Sequence, residues 1–321
     1  MKFSNLDVIV LTYNRANYLR VMLDSLCTQT ATDFNIKVLN NASTDNTCEV
    51  VESFISKYPE RNIRLITNEK NLGNPGNFKR SQEIASNEYV AIFHDDDAVH
   101  PEYIETAMRL FERHKDAVMV CCSSDVKYNV ENINWDLLRK DYFYYPINSV
   151  YLQLLVSRPN FATDIYRTDV YKKAHYRPDL YGKLHDICFI LDVAQMGAII
   201  NLCGYGLRYR THAGSDSLNF KTGPFKNQIV NVCAYFKNLM NHNKLWVPLV
   251  WDFMHFLYKW SRVDEYMEWN KFICSLEINE ELCNSDSLSN DVSRELFTPF
   301  QKKVMQNKFL KRKIKKIVRR I

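Results

Sequence analysis

Over the first 125 residues, short runs of β-branched and other apolar residues alternate with stretches whose apolar positions recur every three or four residues. The runs at 6–12, 35–39, 63–67, 89–93 and 118–121 predict strands, and the periodic stretches at about 16–29, 45–58, 76–86 and 102–115 predict helices. Ser43, Thr44 or Asp45 suits the cap of the second helix, and Pro101 suits the first turn of the fourth. Strands that alternate with helices imply βαβ units, an α/β fold with a mainly parallel sheet flanked by helices. In such sheets ligands bind beyond the carboxyl ends of the strands.

The middle of the chain, 126–218, is mixed. It holds an aromatic patch (Tyr142, Phe143, Tyr144, Tyr145), a helical stretch near 149–157, a strand at 163–167, a helix near 185–196 and strands over 198–211. From about 224 onward the pattern is helical and aromatic, broken by the polar loop 284–293. Trp246, Trp251, Trp260 and Trp269 fall on helical patterns and read as packing residues, and the core reading also comes first for the patch at 142–145.

Three loops after early strands carry unusual polar sets: Thr12-Tyr13-Asn14-Arg15, Asn40-Asn41-Ala42-Ser43-Thr44-Asp45 and His94-Asp95-Asp96-Asp97. All three converge on one edge of the sheet. Adjacent carboxylates repel one another, and a divalent cation with oxygen ligands turns that repulsion into attraction. Asp97 as the cap of a helix starting near Pro101 is the competing reading of the triplet. No P-loop, G-x-G-x-x-G or G-x-S-x-G motif is present, which disfavours ATPase, dehydrogenase and hydrolase chemistry.

Composition changes this picture mainly at the tail. Ten of the 42 Lys and Arg lie in 301–321 with no acid among them, leaving 32 basic against 37 acidic groups over the first 300 residues, a net of −5. The overall +5 is thus a tail property, which argues against a nucleic-acid-binding body. Nine scattered Cys without a C-x-x-C pair indicate neither a disulfide framework nor a zinc ribbon, and point to a reducing compartment. The start, 1–10, does not read as a secretory signal. The most apolar stretch, 245–260, is interrupted by Pro248, Asp252, His255 and Lys259 and is too short to span a bilayer, so any membrane contact is expected at the surface. In 302–321, Leu310, Ile314, Ile317, Val318 and Ile321 share one helical stripe among Lys and Arg. That composition suits a helix on anionic lipid, each basic group contributing about 1 kcal/mol. A solvated helix packing its stripe on its own domain has the same pattern.

The segments V-I-V-L-T-Y-N-R (8–15), N-N-A-S-T-D-N-T (40–47), N-E-K-N-L-G-N-P-G-N-F (68–78), Y-V-A-I-F-H-D-D-D (89–97), L-H-D (184–186) and Y-R-T-H-A-G-S-D-S (209–217) stand in an order and spacing that resembles a family 2 glycosyltransferase of the GT-A fold. The resemblance covers roughly 5–218. It implies a Rossmann-like nucleotide-diphospho-sugar transferase domain at 1–218, followed by a helical C-terminal extension at 219–321 that ends in the basic tail. Each motif alone is weak; six in family order are specific.

Carried over residue by residue, the resemblance places Thr12, Tyr13, Asn14, Arg15, Asn40, Asn41, Asn71, Arg80, Asp95 and Asp96 around the donor nucleotide. Thr12 and Tyr13 match contacts to the base and ribose. Asn40 matches an Asp that usually reads uracil; its carboxamide oxygen still accepts the base N–H, so a UDP-sugar is the favoured donor. The acidic triplet matches a DxD-type motif that holds Mn²⁺ or Mg²⁺. Registering on Pro101 nominates Asp96 and reading Asp95-x-Asp97 nominates Asp97, with His212 completing the metal set. Asp186 matches the catalytic base, although an acidic residue usually precedes it and here His185 does. The family Arg after N-x-G falls at Phe78, which leaves Arg80 or Lys79 for the phosphate, or no counterpart.

The implied activity is inverting transfer of a sugar from a nucleotide sugar to a hydroxyl of a glycan or lipid-linked acceptor, in the cytoplasm at the inner face of the membrane. The rival readings are a metal-dependent nucleotidyltransferase and a non-catalytic sugar-nucleotide-binding protein.

Overall fold

The computed structural model describes residues 3–127, 134–147, 161–182 and 185–212, together with Gln228, Asn231, Val232, Ala234 and Tyr235. The helix expected near 149–157, nearly all of the helical region from 224 onward, the 284–293 loop and the tail 302–321 lie outside the described residues. What is described falls into two compact units: residues up to 147, with 161–176 and 189–212, in one; 177–182, 185–188 and the positions at 228–235 in the other.

The element order is β1 (Leu6–Thr12), α1 (Ala16–Cys27), β2 (Asn35–Asn40), α2 (Thr47–Lys57), β3 (Asn62–Thr67), α3 (Gly73–Ile84), β4 (Tyr89–His94), β5 (Ala98–Val99), α4 (Tyr103–Arg113), β6 (Ala117–Lys127), β7 (Tyr142–Tyr145), a 3₁₀ turn at Phe161–Thr163, β8 (Ile165–Arg167), α5 (Thr168–Lys173), α6 (Pro178–Tyr181), α7 (His185–Ala194) and β9 (Ala198–Arg210). The first unit is built on a sheet whose described strands run β3-β2-β1-β4-β8-β6-β9-β5, with β7 beside β9. From β3 to β4 the pairing is parallel, as the alternating pattern predicts. Beyond β4 the sheet is mixed, because β8 runs antiparallel between β4 and β6, and β5 and β7 run antiparallel to β9. The aromatic run 142–145 is therefore a strand; Tyr142 and Tyr144 pack on the core, as the core reading expected.

β1 is buried along its whole length, as a strand covered on both faces must be. Leu6, Val8 and Val10 face a core shared with Leu19, Leu23 and Leu26 of α1, Val50 and Phe54 of α2, and Ile104, Ala107 and Phe111 of α4. On α1 and α4 these positions recur at three- and four-residue spacing, so one stripe of each helix is buried. A second aromatic layer gathers Phe78 of α3, Phe161, Tyr166, Tyr171, Tyr176 and Phe189; the rings of Phe78 and Tyr176 stack with centroids 3.9 Å apart. Phe78 is buried in this layer, away from any phosphate role for its position.

One buried ion pair anchors the amino ends of the strands. Asp7 Oδ2 accepts from Lys37 Nζ at 2.8 Å and from the backbone of Ser86 and Asn87, and Lys37 also donates to the Ile84 carbonyl. Burial pushes the Asp7 carboxyl up, but Lys37 and these amides outweigh it and hold the group below its ordinary value. The helix α3 is thereby tied to β1 and β2. Among the described residues no helix is long and apolar enough to cross a membrane.

Candidate functional site

Register brings the chemistry together. Thr12 pairs with Asn40 and Leu11 with His94, so the loops after β1, β2 and β4 leave the sheet at the same edge. β5 then pairs with β9 through Ala98 with Arg208 and Val99 with Leu207, which leads the chain at 210–212 back beside 95–97. Asp95, Asp96, Asp97 and His212, more than a hundred residues apart in sequence, meet for this reason.

Asp95 and Asp97 are buried and Asp96 is partly so. Arg15 Nη1 donates to Asp96 Oδ2 at 2.9 Å and to Asp95 Oδ1 at 3.3 Å. His212 Nε2 stands 3.1 Å from the same Asp96 Oδ2. Asp97 Oδ1 accepts the backbone N–H of Arg210 at 2.9 Å. The remaining oxygens, Asp95 Oδ2 and Asp97 Oδ2, and the Thr12 hydroxyl are buried without a hydrogen-bond partner. Burial, with Asp96 next in weight, pushes the Asp95 carboxyl up to about 7, against the pull of Arg15. Burial followed by the neighbouring Asp96 raises Asp97 well above its ordinary value. Carboxylates held this way have unspent affinity for a cation. Among the described residues no three His, Cys, Asp or Glu side chains form a cage by themselves.

The nucleotide-side candidates form the adjoining wall. Asn14 takes a positive φ of 52°, which Asn tolerates, and its Oδ1 accepts from the Thr44 amide at 2.7 Å while its own N–H donates to Ser43 Oγ. Asn40 is fully buried; its Oδ1 accepts the Ser43 N–H at 2.9 Å and its Nδ2 reaches Cys48 Sγ at 3.5 Å. Asn41 centres an amide web: Nδ2 donates to Asn71 Oδ1 at 2.8 Å, and Oδ1 accepts from Asn68 Nδ2 and the Leu72 N–H. Asn71 Oδ1 also accepts the Gly73 N–H, where α3 begins. Tyr13 is 41% exposed above this wall. Arg80 points elsewhere: its guanidinium pairs with Glu83 on the exposed side of α3 at 2.6 Å. Asp45 holds two helix starts at once, accepting the amides of Ala16 and Thr47, so it serves α1 as well as the predicted α2. Pro101 stands before α4, which opens at Tyr103.

Asp186 lies in the second unit, in the first turn of α7, and its Oδ1 accepts the Ile187 N–H at 2.8 Å. Desolvation raises its carboxyl, while His185 and that amide pull it back. The preceding imidazole is engaged: His185 Nδ1 lies 2.5 Å from the Gly182 carbonyl.

Two residues of the acidic site escaped the sequence reading. Arg210 is buried, and its Nε donates to the Asp96 carbonyl at 2.9 Å. Its guanidinium lies 4.5 Å over the ring of Tyr18, which also meets His212 with centroids 5.0 Å apart. The spacing of Tyr18 three residues after Arg15, one turn along α1, was the available signal.

Known proteins agree with this architecture. The chain is 31% identical to an uncharacterized glycosyltransferase of Escherichia coli, YibD, over 138 residues, 43% of this chain and 39% of that protein. It is 34% identical over 122 residues to the Staphylococcus aureus poly(ribitol-phosphate) beta-N-acetylglucosaminyltransferase TarS, 37% of this chain and 20% of TarS. It thus spans well under half the length of these relatives. The crystal structure of residues 1–349 of TarS with UDP-GlcNAc superposes with a TM-score of 0.62 at 21% identity, covering 83% of this chain and 75% of that one. A mannosyltransferase of Pyrobaculum calidifontis, in complex with GDP-Man and Mn²⁺, gives 0.55 at 13% identity, covering 98% and 87%. The fold is GT-A. The model described as Glycosyl transferase family 2 matches residues 7–174, just over half of the chain, and the chain belongs to that family.

Proposed function

We propose that the chain is an inverting glycosyltransferase that moves a sugar from a nucleoside diphosphate sugar to a hydroxyl of a glycan or lipid-linked acceptor. The observation that carries this reading is the meeting of Asp96 and His212, 3.1 Å apart, beside two buried carboxylates at the carboxyl edge of the sheet. An imidazole nitrogen and a carboxylate oxygen that already face each other at hydrogen-bond distance are donors that a divalent cation would accept. The unpartnered oxygens of Asp95 and Asp97 complete a donor set suited to Mg²⁺ or Mn²⁺. Asp96 and His212 are the residues that would hold the ion, with Asp97 Oδ2 the alternative oxygen. A cage of three protein ligands is not required, since such ions commonly share their shell with substrate phosphates and water. Bound there, the ion offsets the charge that develops on the departing diphosphate.

Around it, Thr12 and Tyr13 receive the base and ribose, Asn14 and Asn41 fix the loops that frame them, and Arg15 brings a guanidinium to the acidic turn. Asn40 stands at the end of β2 but is fully buried with its Oδ1 on the Ser43 N–H, so the support for UDP-N-acetylglucosamine as the first donor to test comes from the name of TarS and its complex. The Mn²⁺ in the mannosyltransferase complex supports a divalent ion. An acceptor hydroxyl must lose its proton as the new C–O bond forms, and Asp186 takes that proton; its raised carboxyl brings it closer to the group it deprotonates. Attack opposite the leaving group inverts the anomeric centre. The ten Lys and Arg of 301–321 would favour contact with anionic lipid, and deletion of 302–321 is expected to lower binding to anionic vesicles.

The test is release of the nucleoside diphosphate, UDP from UDP-N-acetylglucosamine and its counterpart from other nucleotide sugars, with Mn²⁺, in wild type and D186N. Asp186→Asn is expected to lower turnover by about 10²- to 10⁴-fold while thermal protection by UDP with Mn²⁺ persists. Unchanged turnover rejects the assigned base, and absence of protection by any nucleoside diphosphate rejects the reading as a whole.

A further inference from the structure

We infer that Tyr18 and Arg210 are positioning residues that hold Asp96 and His212 at their mutual spacing, so that the first turn of α1 sets the affinity of the site for a divalent cation. The inference rests on the reading of Asp96 and His212 as the cation-holding pair.

Arg210 grips the acidic turn at two points, through its backbone N–H to Asp97 Oδ1 and through Nε to the Asp96 carbonyl, each at 2.9 Å. The turn therefore cannot shift without moving the end of β9. Yet Arg210 is buried, and its Nη2 has no hydrogen-bond acceptor. A guanidinium so placed needs another source of attraction, and the face of Tyr18 supplies it at 4.5 Å. The same ring rests against the His212 imidazole, at 5.0 Å and a tilt of 45°. Tyr18 thus touches both groups that surround Asp96 on the β9 side, while Arg15, the residue just before α1, holds Asp95 and Asp96 from the other. The turn is enclosed by residues 15–18 and 210–212. Removing the ring takes from Arg210 the face it stacks on and from the imidazole one of its contacts. A ligand pair whose supporting contacts are lost typically binds its ion 10- to 100-fold more weakly.

Wild type, Y18F, Y18L and R210K are compared by the electron paramagnetic resonance signal of free Mn²⁺, with and without UDP, after circular dichroism has established folding. Y18F keeps the ring and is expected to bind Mn²⁺ within about threefold of wild type. Y18L keeps apolar bulk without a π face, and R210K keeps charge without the Nε contact; both are expected to weaken Mn²⁺ about 10- to 100-fold while UDP affinity in the absence of metal stays the same. Wild-type Mn²⁺ affinity in Y18L, an equal loss in Y18F, or a parallel loss of metal-free UDP binding overturns the inference and leaves the metal reading standing. A wild type that binds no Mn²⁺ under either condition overturns both. Should Y18L fail to fold, R210K carries the test with the same outcomes.

Discussion

Replacing Asp95 by Asn should stabilise the metal-free protein at alkaline pH and flatten its pH dependence. The carboxyl titrates at 3.8 as a free group and at about 7 in the folded chain. A raised acid binds more protons folded than unfolded between those values, so stability falls as pH rises through that window and levels off above it. At 1.36 kcal/mol per pH unit, the whole window amounts to about 4 kcal/mol, of which more than half falls between pH 5 and pH 8. In Asp95→Asn this contribution is absent, and the amide has the shape to keep its oxygen on Arg15 and turn its N–H₂ toward the neighbouring Thr12 hydroxyl. Thermal unfolding of both proteins in EDTA from pH 5 to 8 reads the difference directly. At about 1.5 °C per kcal/mol for a chain of 321 residues, the wild-type midpoint should drop by roughly 3–5 °C relative to the variant. Asp97 shifts in the same direction, in part because of Asp95, so its own share of the pH dependence shrinks in the variant and adds to the difference. Parallel pH curves for the two proteins would refute the argument that Asp95 is desolvated beside Asp96. With Mn²⁺ and UDP present at pH 8 the wild type should regain its midpoint, whereas the variant should respond less.

Three further outcomes are expected. Lys37→Met leaves Asp7 buried without its cation and should cost about 3–5 kcal/mol at pH 7 by urea unfolding, a loss that shrinks as pH falls toward 4 and the carboxyl protonates. Gly206→Ala puts a methyl 2.6 Å from both Cys122 Sγ and the ring of the buried Tyr103, and should destabilise by about 1–3 kcal/mol in the same assay. Asn41→Ala removes the centre of the amide web that fixes the 68–73 loop, and should raise KM for the nucleotide sugar more than it lowers kcat.

The strands of the parallel half were legible because short runs rich in β-branched residues recur between turn signals and stretches of helical period; β1 falls on the predicted residues. Elements whose existence depends on distant residues were not. α3 begins at Gly73, three residues before the predicted start, although Gly73, Pro75 and Gly76 disfavour a helix, because Asn71 and Asn41 fix the entry. β7 is four aromatics without alternation, and only its pairing with β9 makes it a strand. In the acidic site the negative charges were conspicuous, whereas Arg210 stood unnoticed inside a motif read for its histidine. Its role follows from the antiparallel pairing of β5 with β9, which no local pattern announces.

That pairing also fixes when the site comes into being. Synthesis from the amino terminus delivers β1 to β4 and the three aspartates a hundred residues before β9 leaves the ribosome. A nascent chain ending before Ala198 has every acidic group of the site but neither Arg210 nor His212. Competence is thereby deferred to a late, long-range closure, and a fragment released early carries the charge of the site without its grip.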